Sequence, residues 1–245
     1  MHCAASIKKL LRDLKEAGEV EGFTVEPFAY VGPYPILGFI RPAIKYSASS
    51  RHIYLSAGIH GDEPAGPKAL LELLQSGALP PDDSFYLCPL LNPSGMATGR
   101  RENPEGLDLN RDYAACTSRE VAAHVKWIHR SITQVDYALH LHEDWESAGF
   151  YLYELNFTGL PGLADDLLAA VRAHLPIETA TEIDGRSAES GIIRPKSLPA
   201  LDDGDPESIF LQKKFHGLNY TLETPSSADF RKRVDALKAA VLRAF

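Results

Sequence analysis

Along this chain, short strand-like runs alternate with helical ones, and that alternation limits the architecture more than any other feature. It is the pattern of an α/β layered domain. β-Branched and aromatic runs predict strands at 23–31, 36–40, 51–58, 84–90, 135–142, 149–155 and 217–223. Helical periodicity predicts helices at 64–76, 118–132, 162–174 and 227–244. At 6–17, Ile7, Leu10, Leu11 and Leu14 fall on one helical stripe. Pro64 suits the first turn of the 64–76 helix, and Thr117 with Glu120 forms a capping box for the next one. Two long connections remain, 91–113 and 184–206, both rich in turn residues. Ordered loops of that length are often functional.

No repeat or linker divides the series, so residues 1–245 are expected to form a single domain, long enough to bury a sizeable core. A net charge of −8 makes nucleic acid and anionic membrane poor partners. No stretch approaches the roughly 18–20 apolar residues that a bilayer span needs. The first residues, with Lys8, Lys9 and Arg12, do not resemble an export signal. Cys3, Cys88 and Cys116 are odd in number and widely spaced, which points to free thiols in a reducing compartment, with Cys88 on a core strand. A cytoplasmic location is the expectation, while the oligomeric state leaves no trace in the sequence.

Chemistry-bearing residues collect at strand ends. His60-Gly61-Asp62-Glu63 lies between the 51–58 strand and the following helix, where open α/β sheets build their sites. A His and a Glu three apart across a turn can reach one cation, with Gly61 allowing a sharp bend. A polar turn with a capping acid has the same appearance. His142-Glu143-Asp144-Trp145-Glu146 lacks the second His of a helical H-E-x-x-H site. At the end of the 135–142 strand, His142 is the third ligand candidate. His140, on the same face, is the fallback. Glu223, closing the last strand, could serve as a general base. Arg100, Arg101 and Arg111, with Asp108 and Asn110, concentrate in the 92–112 loop, where guanidinium groups could hold a carboxylate or an oxyanion.

Together, HGDE (60–63), NPSG (92–95), Arg101 with LDLNR (107–111), LHED (141–144) and TLETP (221–225) resemble the zinc metallocarboxypeptidase superfamily, in the same order. That superfamily includes the murein peptide amidases and the succinylglutamate desuccinylase/aspartoacylase branch. The resemblance implies a three-layer α/β/α fold around a mixed, mostly parallel eight-stranded sheet. It implies one Zn2+ per chain, held by His60, Glu63 and His142. Asp108 would orient the first histidine, and Arg101, or less readily Arg100, would polarise the scissile carbonyl. Asn110 and Arg111 would grip a substrate carboxylate, and Glu223 would be the general base and later proton donor. The tyrosine that closes over substrate in larger members is not placed by the resemblance within 200–215, where Phe210 stands nearest the expected position.

The leading functional expectation is hydrolysis of an amide bond in a small peptide-like substrate with a free carboxylate. N-acyl amino acid deacylation is the alternative, favoured by AGIHGDEPAG (57–66). Against it, enzymes of that type usually carry a further β-rich domain, whereas this sequence stops one helix after Glu223. A non-catalytic binding protein on the same fold would be expected to lack a ligand, the base or the arginine, and none is missing. Substrate side-chain preference is not legible, although Arg194 and Lys196 could favour an acidic group.

Overall fold

The computed structural model describes residues 4–245, so Cys3 lies outside the described residues. In chain order these form α1 (Ala4–Val20), β1 (Thr24–Val31), β2 (Tyr34–Arg41), β3 (His52–Ala57), α2 (Ala65–Ser76), β4 (Ser84–Cys88), α3 (Pro93–Thr98), a 3-10 turn (Leu109–Arg111) and α4 (Arg119–Ser131). There follow β5 (Tyr137–Asp144), β6 (Tyr151–Leu155), α5 (Ala164–Val171), β7 (Glu182–Ile183), β8 (Arg186–Ser187), β9 (Ile192–Ile193), α6 (Glu207–Phe215), β10 (Leu218–Pro225) and α7 (Phe230–Arg243).

Eight strands build one mixed sheet in the order β1-β2-β4-β3-β5-β10-β6-β9, as the resemblance implies. Its centre, β4-β3-β5-β10, is parallel, and β2 and β6 join it antiparallel on either side. Because side chains alternate across a strand, each central strand feeds two cores. Ile53, Leu55, Leu139, Leu141 and Leu222 pack with residues of α1, α2, α5 and α7. Tyr54 and Ala138 point the other way, against Trp127 and Ile128 of α4 and Leu211 of α6. Helices thus cover both faces. The α1 stripe is buried as its spacing predicts. Cys88 is a buried free thiol on β4, and Cys116 is also unpaired.

Three local expectations need correction. Ser118, not Thr117, caps α4: its hydroxyl accepts from the Val121 N–H at 3.2 Å, while the Thr117 hydroxyl donates to Asp112 at 2.7 Å. Pro64 sits at the cap of α2 rather than inside its first turn. The long connections also hold more structure than their composition suggests. Residues 91–113 include α3, capped by the Asn92 carboxamide accepting from Gly95 N–H at 2.8 Å. Strand β9, within 184–206, extends the main sheet, and α6 starts directly after that segment. The buried face of α6 carries Glu207 and Gln212 beside Ile209 and Leu211, so no apolar periodicity announces it.

Candidate metal centre and active site

The carboxyl ends of β3, β5 and β10, three neighbouring parallel strands, meet at one place. His60 and Glu63 lie in the turn after β3. His142 is near the end of β5, directly opposite Glu223 on β10, so both side chains leave the sheet on one face. The two imidazole centroids stand 5.0 Å apart. Between them lies the Glu63 carboxylate, with Oε1 at 2.6 Å from His60 Nδ1 and Oε2 at 2.9 Å from His142 Nδ1. All three residues are buried, and one donor atom from each lies within 4.8 Å of the others. Two imidazoles and one carboxylate match a catalytic zinc set, which leaves a coordination position open. The residues fit the ion the resemblance implies.

The surroundings fix this arrangement. The far nitrogen of His60, Nε2, lies 3.2 Å from Asp108 Oδ1. Asp108 Oδ1 also accepts from the Asn110 N–H at 2.8 Å, and Oδ2 accepts from Arg101 Nε at 3.1 Å. A carboxylate on the second nitrogen sets the orientation of a ligand histidine and raises its basicity. Burial alone would lower the His60 pKa, but the Glu63 charge and hydrogen bonds to Asp108 and Glu63 outweigh it and raise it to about 9. Burial likewise opposes ionisation of Glu63, yet the flanking histidines hold it far below the usual carboxylate range. In the Glu223 carboxyl the balance is reversed. Burial, reinforced by the charges of Glu63 and Asp144, pushes it well above its ordinary value.

Gly61 has a different role from the bend expected of it. Its φ is not positive; a Cβ there would stand 2.1 Å from the backbone carbon of Gly95 and 2.2 Å from Met96 N. Absence of a side chain lets the ligand turn press against the NPSG helix, where Gly61 N–H donates to Arg101 O at 3.2 Å.

A cavity of about 440 Å3 opens onto the centre and is lined, besides the ligands, by Arg101, Asn110, Arg111, Tyr151, Tyr153 and Glu223. Arg101 lines it and Arg100 does not, which separates the two candidates for a carbonyl-polarising arginine. Asn110 accepts from the Glu207 N–H through Oδ1 at 3.0 Å, which fixes the carboxamide and leaves its N–H donors for a ligand. Arg111 Nε donates to Asp203 at 2.7 Å and Nη1 to Asn110 O at 3.0 Å, leaving other guanidinium N–H groups uncommitted. Phe210 packs on Tyr113 and His129, away from the cavity. The pocket tyrosines come from β6: Tyr151 donates to Asp144 at 3.1 Å and Tyr153 to Asp184 at 2.6 Å. Glu143, beside His142 in sequence, caps α2 through the Ala65 N–H at 2.6 Å and pairs with Arg233.

His140, the fallback ligand, is engaged elsewhere. Its Nδ1 lies 2.9 Å from the Ser56 hydroxyl and 3.1 Å from Glu207 Oε2. Glu207 accepts from Ser56 at 2.7 Å and Tyr54 at 2.5 Å, and Tyr54 contacts His124, which contacts Tyr113. This buried polar cluster beneath the cavity was not foreseen, because its members are single residues far apart in sequence. Burial opposes ionisation of Glu207, but the charge and hydrogen bond of His140 lower its pKa to about 2. Arg194 is held by Glu154 at 2.7 Å and Asp165 at 2.8 Å, and Lys196 lies outside the main cavity.

Residues 49–159 match the family model of the succinylglutamate desuccinylase/aspartoacylase catalytic domain. A candidate metallopeptidase of known structure from Shewanella denitrificans OS217 is 26% identical, superposes with a TM-score of 0.83 and aligns over 97% of this chain and 88% of its own. One from Shewanella amazonensis SB2B is 27% identical, with a TM-score of 0.84 over 97% and 91%. A metallo-carboxypeptidase from Burkholderia cenocepacia shares the fold at 16% identity, with a TM-score of 0.69 over 95% of this chain and 66% of its own. No curated protein sequence matches significantly. Sheet order, the matched family model and the two Shewanella neighbours place the chain in the zinc carboxypeptidase-like superfamily.

Proposed function

We propose that this protein is a zinc-dependent hydrolase that cleaves an amide bond in a small peptide-like substrate bearing a free carboxylate. The observation carrying this reading is the buried His60-Glu63-His142 cluster at the mouth of a cavity that Glu223, Arg101 and Arg111 also line. When bound, zinc supplies Lewis acidity, which acidifies water and polarises a carbonyl. Glu223 takes a proton from the attacking water and then delivers it to the leaving amine. Arg101, kept cationic and oriented by Asp108, donates to the oxygen where negative charge develops. The free N–H groups of Asn110 and Arg111 hold the substrate carboxylate, which fixes the amide for attack. Two free cysteines and a net charge of −8 fit a cytoplasmic setting.

The family model matched over 49–159 favours a second reading, N-acyl amino acid deacylation. Both use the same chemistry and differ in the group beyond the scissile bond. Zinc-loaded protein assayed against short peptides with varied C-terminal residues and against N-acyl amino acids separates them. Peptide cleavage supports the first reading and cleavage of N-acyl amino acids alone the second. Turnover of neither, by protein shown to hold zinc, overturns both.

A further inference from the structure

We infer that Glu207 is a positioning residue: its buried carboxylate, gripped by β3 and β5, sets its own main-chain N–H against Asn110 and so fixes that cavity-lining carboxamide relative to the His60-Glu63-His142 cluster. In the hydrolase reading, on which this rests, the carboxamide holds the substrate carboxylate, so Glu207 sets the distance from that group to the scissile bond. Helix α6 begins after Pro206, which offers no side-chain acceptor to the open N–H groups of a first turn. Asn110, 97 residues earlier in the chain, supplies one: its Oδ1 accepts from the Glu207 N–H at 3.0 Å. The approach to the helix is equally close. A Cβ on Gly204 would stand 1.9 Å from Arg111 O, and the Tyr113 N–H donates to Asp205 O at 3.2 Å. Residues 204–207 therefore run against 110–113, and the placement of one segment decides that of the other.

An acidic residue in the first turn of a helix usually faces water, where the helix dipole favours it. Glu207 turns inward instead and is 2% exposed. A carboxylate can be buried when donors surround it, and here they come from two strands. Tyr54 and Ser56, on one face of β3, donate to Oε1 at 2.5 Å and to Oε2 at 2.7 Å. From β5, His140 Nδ1 lies 3.1 Å from Oε2. These are the strands that lead into the metal cluster: Ser56 stands four residues before His60, and His140 two before His142, roughly 7 Å at strand spacing. An apolar side chain would hold α6 to the sheet without the cost of desolvating a charge. Directed hydrogen bonds fix orientation as well as contact, and orientation is what the Asn110 carboxamide needs. One residue thus spans from the strands of the cluster to the cavity wall.

The probes are N-acetylalanine and N-acetylalaninamide, which differ only at the terminal carboxylate. They are titrated by NMR into zinc-loaded protein at a temperature where circular dichroism shows every variant folded. The acid is expected to bind the unaltered protein roughly tenfold tighter than the amide, about what one charge-assisted hydrogen bond contributes. In Glu207→Gln the ratio falls to within about threefold, while amide affinity and zinc content stay unchanged. Tyr54→Phe and Ser56→Ala, which each remove one donor and leave Glu207 in place, lower the ratio by smaller factors. In an Asn110→Ala background none of these substitutions moves the ratio further, because Glu207 acts through Asn110. An undiminished ratio in all three variants, an equal fall with and without Asn110, or a loss shared by acid and amide overturns the inference. The Asn110 side-chain amide resonances, assigned by their loss in Asn110→Ala, keep the two ideas apart. Should the unaltered protein show no preference for the acid, the carboxylate clamp fails. Displaced resonances in Glu207→Gln then still uphold the positioning role, and unmoved ones remove it.

Discussion

Glu223 and Gly61 show how much of the proposed chemistry rests on single side chains. Glu223 sits in register with His142 and donates no ligand atom to the cluster, so its removal can be separated from metal loss. Glu223→Gln is expected to lower kcat by roughly 10²–10⁴-fold, the usual worth of a general base, while zinc content measured by elemental analysis stays at the unaltered level. Loss of zinc together with activity would instead assign Glu223 to metal binding. Gly61 acts through space alone, since the atoms a methyl group would meet are main chain and cannot rotate aside. Gly61→Ala is expected to cost roughly 1–3 kcal/mol through overpacking and to weaken zinc binding, because His60 and Glu63 move with the turn. Thermal unfolding and a competitive zinc titration measure the two effects.

At the scale of elements, α6 joins the sheet to the site. Its first residue, Glu207, reaches His140 on β5 and Ser56 and Tyr54 on β3, while its N–H holds Asn110 in the 92–112 loop. Glu207→Gln removes the buried carboxylate that Ser56, Tyr54 and His140 share, and losing hydrogen bonds to a charged group costs roughly 1.5–3 kcal/mol each. A melting temperature lower by roughly 10 °C follows for a chain of this length. The pH signature is specific. Folding lowers the Glu207 pKa from 4.5 to about 2, so its contribution is complete above about 4.5 and is lost as pH falls toward about 2. Denaturant unfolding between these pH values should show a shallower loss of stability in Glu207→Gln than in the unaltered protein. An identical slope would show that other carboxylates govern acid unfolding.

For the whole molecule, the proposed metal would be linked to the fold through the same histidines. Zinc that binds only the folded chain stabilises it by about 2.7 kcal/mol at a hundredfold excess over Kd, or roughly 5–10 °C in Tm. The shift should also depend on pH. Without metal, the raised His60 pKa gives support that is complete below about 6.5 and lost as pH rises through about 9. Zinc binding needs the deprotonated imidazole, so it gains over the same range. Calorimetric scans with zinc and with chelator should therefore diverge more at pH 8.5 than at pH 6. A shift that is constant with pH would place the metal away from His60.

Local order in the sequence determined the strand-helix alternation, the α1 stripe, and the places of His60, Glu63, His142 and Glu223 at strand ends. Each of these depends on a period or a motif within a few consecutive residues, and periodicity survives without knowledge of the fold. Arg101 could be singled out by resemblance, but only the cavity separated it from Arg100. Tertiary structure alone decided that α6 is a helix, because its buried face is half polar and shows its purpose only against His140 and Ser56. Long-range burial, which no local pattern encodes, turned scattered polar residues into one site.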